Sequence, residues 1–397
     1  MIRTALLLAV ATAALAASPL SARPMTARDM QSLHRLGAPE VSKDGKWAVF
    51  TVSATDWAKN KRNNTLYLLD LSRAGATPQP VAAAEKAHDA TFGPDGALWF
   101  LMNVGDHDQL FRMPLGGAPA QVSQFKGDIS GFKIAPSGDR VVVWADRDLR
   151  CGDLNCDELP KKAEMGTGRT FDQLFIRHWD AWAEPGVRSR LFGYAVERGK
   201  LTGAGKPLEG DLVGDTPSRP FGGGEEISFS PDGRTVFFAL REAGRIESLS
   251  TNLDIFSAPS DGNAPPINLT SANEGTDTLP AVSPDGRTLA YVAMARAGYE
   301  ADRQVVQLRD LVSGKVRPLT QAWDRSIDAI EWSRDGKSLL VTADDTLEHP
   351  VFRVDVLNGK VARLTKDGHF GNVRALPGGG AVATMNSIMA PDDLYRI

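Results

Sequence analysis

Apolar and polar positions alternate in short runs along most of this chain, and a turn of similar sequence precedes seven of these runs. The clearest copy is Ser283-Pro284-Asp285-Gly286, which is followed by an apolar run to Tyr291. Proline presets φ, aspartate bonds to its own backbone and glycine accepts a positive φ, so the phrase predicts a tight turn between two strands. The glycines that end the other copies are Gly45, Gly96, Gly138, Gly233, Gly336 and Gly379.

The turns recur at intervals that match one supersecondary unit. Consecutive turn glycines lie 51, 42, 95, 53, 50 and 43 residues apart. Most units contain a third apolar run, such as residues 305–309, and a short fourth run, such as residues 317–320. Four antiparallel strands at a period near 50 residues predict an all-β chain folded as a seven-bladed β-propeller. A β-sandwich with repetitive turns is the alternative, but it gives no reason for the whole unit to repeat.

The seventh blade contains fewer strand signals than the others. Strands are predicted near residues 373–376, 381–385 and 393–397, and no fourth run follows. Soluble proteins generally avoid an exposed sheet edge. We therefore expect a truncated C-terminal blade in residues 23–397, with the native polypeptide continuing beyond it or another segment covering the edge.

The interval of double length contains an insertion in blade 3, at about residues 146–187. It shows no strand alternation but is rich in charge and aromatics, most distinctively in Arg177-His-Trp-Asp-Ala-Trp182. The blade is predicted to resume at residues 190–196, and a connection rich in glycine and proline follows at 203–224. Long loops on a regular scaffold are where function usually lies.

Composition and the N-terminus limit the class of protein. The 397 residues are 42% hydrophobic and 24% charged with a net charge of −4, which gives no reason to expect nucleic acid or an anionic membrane as a partner.

Residues 1–22 contain Arg3, an apolar core too short to span a bilayer, and small residues after it. They predict a secretory signal peptide cleaved after residue 16 or 22, with an uncleaved anchor as the alternative. We expect a periplasmic or secreted protein.

The two cysteines, Cys151 and Cys156, are five residues apart. In an oxidising compartment this spacing predicts a local disulfide that shapes the insertion, since a zinc site would need two more ligands and the loop between them contains no histidine. The six histidines show no ligand spacing, and no calcium-loop pattern occurs. No metal and no cofactor are expected.

Several segments together resemble a known family. The chain is similar to the N-terminal propeller of the prolyl oligopeptidase family of serine peptidases, in its dipeptidyl-peptidase and acylaminoacyl-peptidase branch. The match covers essentially the whole mature chain and is more specific than Ser-Pro-Asp-Gly turns, which TolB-like periplasmic propellers share. The segments that carry it are residues 177–182, 250–256, 269–273, 277 with 280, 299–303, 323–326 and 390–395.

The resemblance implies a two-part enzyme, in which the propeller caps an α/β-hydrolase domain and its cavity admits short peptides but excludes folded proteins. Catalysis there needs a serine on a strand-to-helix elbow, a histidine and an aspartate. This sequence has no Gly-x-Ser-x-Gly, because residues 127–131 have a different spacing, and no βαβ pattern follows the propeller. We assign no catalytic residue and expect no peptide hydrolysis by this chain alone.

The resemblance also implies that propeller carboxylates bind the free amino terminus of the substrate. Glu225 and Glu226 are the first candidates, the alternative being a solvated loop ahead of a buried strand. The second cluster is Glu300, Asp302 and Arg303, for which we expect a mutual ion network. Trp179 and Trp182 are candidates for lining a pocket, or else they pack the insertion onto its blade.

These observations predict the substrate-gating and amino-terminus-recognising propeller of a periplasmic serine exopeptidase that acts on short peptides. Its expected partners are those peptides and the missing hydrolase domain. The alternative is a stand-alone, TolB-like propeller that serves as a binding or scaffold module.

Overall fold

The structure is a computed structural model, and it describes residues 23–84, 86–156, 168, 170–171, 174–179, 181–244 and 247–397. The predicted signal peptide lies outside the described residues, as does part of the predicted insertion. Within them the chain forms 30 strands and one α-helix, α1 (Ala27–Ser32). Thr26 and Asp29 form a capping box at the start of this helix, and Arg35 and Leu36 beyond it pair with a strand.

Seven antiparallel sheets follow one another along the chain, so the prediction of a seven-bladed propeller is confirmed. In each blade we call the strand before the repeated turn the inner strand. Blade 1 contains β1 (Arg35–Leu36), β2 (Glu40–Val41), β3 (Trp47–Asp56), β4 (Lys61–Asp70) and β5 (Gln79–Pro80). Blade 2 contains β6 (His88–Phe92), β7 (Leu98–Val104), β8 (His107–Met113) and β9 (Ala120–Gln121).

Blade 3 is divided by the insertion. It contains β10 (Gly131–Ile134), β11 (Arg140–Asp148), β14 (Val187–Glu197) and β15 (Lys200–Pro207), and the insertion carries a two-stranded hairpin of β12 (Arg177–His178) and β13 (Ala181–Trp182). Blade 4 contains β16 (Ile227–Phe229), β17 (Thr235–Leu240), β18 (Asp254–Pro259) and β19 (Ile267–Asn268). Because β15 reaches Pro207, the connection predicted at 203–224 starts at residue 208.

The last three blades complete the ring. Blade 5 contains β20 (Asp277–Val282), β21 (Thr288–Ala293), β22 (Val305–Asp310) and β23 (Val316–Pro318). Blade 6 contains β24 (Ala329–Trp332), β25 (Ser338–Thr342), β26 (Val351–Asp355) and β27 (Val361–Arg363). Blade 7 contains β28 (His369–Ala375), β29 (Ala381–Ser387) and β30 (Ala390–Arg396), and in the described part of the chain no strand pairs with the outer edge of β30. One-turn 3-10 helices occur at Ala82–Ala84, Gly224–Glu226 and Glu247–Leu249.

The repeated turns of blades 1, 4, 5 and 6 share one hydrogen-bond pattern, which blade 5 illustrates. The Ser283 hydroxyl donates to the Asp285 carboxylate at 2.6 Å and accepts from the Thr288 amide at 2.9 Å. Asp285 also accepts from the Arg287 amide at 3.1 Å. The same bonds occur at Ser42, Ser230 and Ser333. These side chains satisfy turn amides that no strand reaches, which explains why the phrase recurs.

Neighbouring blades contact each other through these turns and through apolar clusters. The turn glycine of one blade packs on the turn proline of the preceding blade, as Gly138 does on Pro94 and Gly286 on Pro231. A buried hydrophobic cluster lies between each pair of neighbouring blades. The core is therefore a ring of separate clusters around a central opening, in place of one central core.

The ring closes where blade 7 meets blade 1, and no strand is shared across this junction among the described residues. Arg374 on β28 donates from Nε and Nη2 to Oε1 of Glu40 on β2, at 3.0 and 2.8 Å. Gly45 in the turn of blade 1 packs on Pro377 of blade 7. Among the described residues, bonds from side chains and apolar packing therefore hold this junction, including a bond from Arg396 to the Leu71 carbonyl.

We expect Gly45→Ala to destabilise the protein more than Gly75→Ala. Both glycines have a φ of +72°, which costs an alanine roughly 1–2 kcal/mol. A Cβ at Gly45 would lie 2.6 Å from Pro377 Cδ, whereas nothing lies within 4 Å of a Cβ at Gly75. The clash adds roughly 1–3 kcal/mol. Denaturant unfolding of the two variants measures the difference, and equal free energies of unfolding would show that the Gly45 contact does not close the ring.

Candidate functional site

A cavity of about 1800 Å³ runs along the axis of the propeller, and inner strands of all seven blades form its wall. The repeated turns surround one end. The insertion and the connecting loop (residues 208–223) lie at the other, which we call the insertion end. The volume exceeds the roughly 300–1,000 Å³ of common small-molecule pockets. It is sufficient for a short peptide but not for a folded domain.

One position of the repeat faces this cavity in every blade. It lies five residues before the turn glycine, on the inner strand, and we call the seven side chains the axial ring. Two members are basic and two are acidic, and sequence analysis missed them because each is isolated along the chain. The signal that finds them is their common phase in the repeat. The axial ring consists of Glu40, Thr91, Lys133, Ser228, Ala281, Glu331 and Arg374.

Charged members of the axial ring bond to neighbouring blades. Glu331 Oε1 accepts from the Ala375 amide at 3.1 Å, and burial raises the pKa of Glu331. Lys133 Nζ donates to the Gly224 carbonyl at 2.8 Å and to the Ile227 carbonyl. Inner strands have no strand neighbour on the cavity side, so such side chains satisfy backbone groups that the sheet leaves unpaired.

The predicted pair Glu225 and Glu226 lies in the 3-10 turn that ends the connecting loop, and its two carboxylates point into different surroundings. Glu226 is buried and accepts from the Ser218 amide at 2.7 Å, the Ser218 hydroxyl at 2.8 Å and the Thr278 hydroxyl at 3.1 Å. Burial raises the pKa of Glu226. Glu226 thus ties the connecting loop to blade 5 and does not line the cavity.

Glu225, in contrast, lines the cavity and is exposed to it. Its carboxylate makes no hydrogen bond or ion pair with any residue that the structure describes. Glu225, Glu40 and Glu331 act electrostatically on Lys133 together with one other cation, Arg374. Among these groups, Glu225 is the carboxylate without a bonding partner in the described residues, and it is available to an incoming positive charge.

The aromatic candidates lie on the insertion hairpin. Trp182 lines the cavity, and the Arg177 guanidinium lies 5.6 Å from its ring centroid. Trp179 is 71% exposed and meets the ring of Phe221 edge-on, with centroids 5.8 Å apart. Phe221 belongs to the connecting loop, so the hairpin contacts that loop at the insertion end of the cavity. Trp182 has the placement expected of a pocket residue, whereas Trp179 packs the insertion against the loop.

An ion network fixes the connecting loop from the other side. Arg188 on β14 donates to both carboxylate oxygens of Glu247, at 2.9 and 3.0 Å, and to Asp215 at 3.0 Å. Arg219 pairs with Asp146 and lies 3.5 Å from Asp215. These groups join blade 3, the connecting loop and blade 4. The loop that presents Glu225 is therefore held at several points.

The second predicted cluster does not line the cavity. Asp302 accepts from the backbone amides of Ala295 and Arg296, both at 2.8 Å. Arg303 donates to the carbonyls of Trp323 and Gln321. The mutual ion network expected for Glu300, Asp302 and Arg303 is not formed among the described residues, because Asp302 bonds to amides of its own loop and Arg303 to carbonyls of a neighbouring loop.

Cys151 and Cys156 form the predicted disulfide within the insertion. Arg190 donates to the Cys151 carbonyl at 3.0 Å, which anchors the disulfide loop to β14. Among the described residues, no three histidine, cysteine, aspartate or glutamate side chains are grouped so that they could hold a metal ion. In the same part of the chain, no helix has the length and hydrophobicity needed to cross a membrane.

Comparison with known proteins finds relatives along most of the chain. A scan against models of protein families finds no match. Dipeptidyl-peptidase 5 of Porphyromonas gingivalis is 29% identical over 380 residues, which cover 92% of this chain and 53% of the relative. This chain spans about half the length of the curated relatives it matches.

Solved structures share the fold. The acylaminoacyl peptidase of Pyrococcus horikoshii superposes with a TM-score of 0.69 at 13% identity, over 93% of this chain and 52% of that chain. The β-propeller domain of the Trilobed protease from Pyrococcus furiosus, which has an open velcro topology, gives a TM-score of 0.61 at 11% identity and covers 91% of this chain and 92% of that chain. At such identities the likeness shows the fold.

Glu209, at the start of the connecting loop, is 1% exposed. Its Oε1 accepts from the Leu191 amide at 2.6 Å. Its Oε2 and the Thr216 hydroxyl are both buried without a hydrogen-bond partner among the described residues. Burial raises the pKa of Glu209 from 4.5 to about 7. Below about pH 7 the neutral acid is therefore the favoured form in the folded protein.

We expect the pH dependence of stability to reveal this carboxyl. Because its pKa is higher in the folded than in the unfolded chain, its stabilisation is complete below pH 4.5 and is lost as pH rises through about 7. Glu209→Gln keeps a donor and an acceptor but does not titrate. Between pH 5 and 8 the wild type should lose roughly 2–3 kcal/mol more unfolding free energy than the variant. Parallel pH profiles of the two proteins would contradict this.

Proposed function

The chain is the β-propeller part of a prolyl oligopeptidase family peptidase, and on this premise we propose that its cavity admits short peptides and holds their free amino terminus at the Glu225 carboxylate. One observation carries the proposal. Glu225 lies on the cavity wall without a bonding partner among the described residues, whereas the neighbouring carboxylate of Glu226 is buried and accepts three hydrogen bonds.

The chemistry of an ammonium group explains this arrangement. An ammonium that leaves water for a cavity needs charge-assisted acceptors to offset its desolvation. Glu225 supplies the charge, because its carboxylate faces the cavity and has no bonding partner among the described residues. Glu226 takes a different part, since its bonds to Ser218 and Thr278 fix the turn that presents Glu225. Trp182 at the insertion end offers an apolar surface to the peptide that follows the amino terminus.

Substrate gating follows from the dimensions of the cavity. At about 1800 Å³ it accommodates a peptide of a few residues, whereas folded proteins are too large to enter. Peptide-bond cleavage then requires a serine, a histidine and an aspartate from an α/β-hydrolase domain, as the family resemblance implies. In this proposal the propeller selects and orients the substrate, and the hydrolase domain provides the chemistry.

We also propose that the protein acts after export. The N-terminal sequence has the pattern of a secretory signal, and the Cys151–Cys156 disulfide is stable in an oxidising compartment. Short peptides in the periplasm or outside the cell are then the available substrates.

Glu225→Gln should weaken the binding of a tripeptide amide with a free amino terminus by about tenfold, because one charge-assisted hydrogen bond is lost. Binding of the N-acetylated tripeptide amide, which carries no charge, should not change. Isothermal titration of the purified chain with both ligands measures the two effects.

Glu300→Gln is the matched control, since Glu300 is exposed and lies outside the cavity wall. It should bind both ligands as the wild type does. Equal affinity of the wild type for the free and acetylated peptides would remove amino-terminus recognition from this propeller. A loss in Glu300→Gln but not in Glu225→Gln would transfer it to the second cluster.

A further inference from the structure

Lys133 differs from the other members of the axial ring because it donates to two backbone carbonyls of the next blade. It lies on β10 of blade 3, and its Nζ donates to the carbonyls of Gly224 and Ile227 at the entrance to blade 4. These two carbonyls flank Glu225 and Glu226 in the sequence. One ammonium therefore fastens both ends of the turn from which the Glu225 carboxylate projects.

Other bonds also hold this turn, chiefly at Glu226, whose carboxylate accepts from Ser218 and Thr278. The Glu226 amide donates to the Gly223 carbonyl at 3.0 Å, and the Ile227 amide caps the turn on the Gly224 carbonyl. Three glycines, Gly222, Gly223 and Gly224, precede Glu225. Glycine gives a chain wide conformational freedom. The Gly222 amide bonds to the Ser218 carbonyl at 2.8 Å, and Lys133 adds a restraint at Gly224, directly before Glu225.

The fold does not by itself require a cation at this place. Blades 2, 4 and 5 carry Thr91, Ser228 and Ala281 at the same phase of the repeat, so small uncharged residues are compatible with the ring. A buried ammonium is costly, as the pKa of Lys133 shows, which burial lowers to about 8. Because the fold does not require Lys133 and its burial costs free energy, we infer that Lys133 has a function at this place in the cavity.

We propose that Lys133 is a positioning residue, which holds the Gly224–Glu226 turn so that the Glu225 carboxylate faces the cavity in the orientation that binds a peptide amino terminus. This inference rests on the proposed function of Glu225. Lys133 itself does not contact the peptide. Its two bonds to backbone carbonyls use two of its three donors, and they fix where the neighbouring carboxylate stands.

Three variants test the inference. Lys133→Met keeps the length of the side chain but removes its donors, and Lys133→Arg keeps donors that can reach both carbonyls. Lys200→Met is the matched control, because Lys200 also donates to a carbonyl of a neighbouring blade, that of Gln121, away from the cavity. The probes are a tripeptide amide and its N-acetyl derivative, and the readout is the ratio of their dissociation constants.

We expect Lys133→Met to lower this ratio about tenfold, whereas a general loss of stability would weaken both ligands alike. Hydrogen exchange of residues 222–229 should become faster in Lys133→Met, and Lys133→Arg should restore much of both properties. Lys200→Met should change neither the ratio nor exchange in that segment.

Each remaining outcome overturns a defined statement. If the wild type does not distinguish the two peptides, the proposed function and this inference both fail. If the wild type distinguishes them and Lys133→Met does so equally well, only the role of Lys133 fails. Faster exchange with an unchanged ratio would make Lys133 a structural residue of the turn, and unchanged exchange would show that it does not hold the turn.

Discussion

The inner strand of every blade has one edge that faces the central cavity, where no further strand can pair with it. This constraint explains much of what lines the cavity, because buried backbone groups need partners. Side chains from adjacent blades provide them: Trp332 donates to the Ala281 carbonyl at 2.9 Å, and the Ser228 hydroxyl accepts from the Val282 amide at 3.2 Å. The cavity wall is therefore also the set of joints between blades, and a residue placed there affects both stability and ligand binding.

The junction of blades 7 and 1 meets the same constraint without a shared strand. The apolar cluster there is small, with Val41, Leu376 and Val382 as its buried members. The Arg374–Glu40 pair and the contact of Gly45 with Pro377 add to it. Ion pairs of this partly exposed kind contribute little free energy individually. Among the described residues, this cluster has fewer buried members than the cluster at any other junction, so the contacts beside it matter more here.

The architecture was predictable from sequence because its signal is local and repeated. Each Ser-Pro-Asp-Gly phrase satisfies its own backbone within six residues, so the seven turns could be recognised without knowledge of the fold. The orientation of Glu225 and Glu226 was not predictable, because it depends on Ser218 and on Thr278, which is 52 residues away from Glu226. The ion network expected at residues 300–303 failed for a related reason: the amides that bond Asp302 are brought to it by a loop whose path the sequence does not reveal.

The position of a residue within the repeat connects the local turn signal to the side chains that meet in the cavity. Once the turn glycines are aligned, the axial ring can be read directly from the sequence, and its charges can be compared in ring order. Glu331, Arg374 and Glu40 follow one another in blades 6, 7 and 1. Arg374 bonds to Glu40, and Glu331 accepts from the Ala375 amide, so each carboxyl group has a partner in an adjacent blade. Lys133 in blade 3 has no charged neighbour in the ring, since Thr91 and Ser228 flank it, and it bonds to backbone carbonyls instead. The Glu225 carboxylate therefore lies near Lys133, whose ammonium is already bonded to these carbonyls. The negative charge of Glu225 is thus available to a ligand.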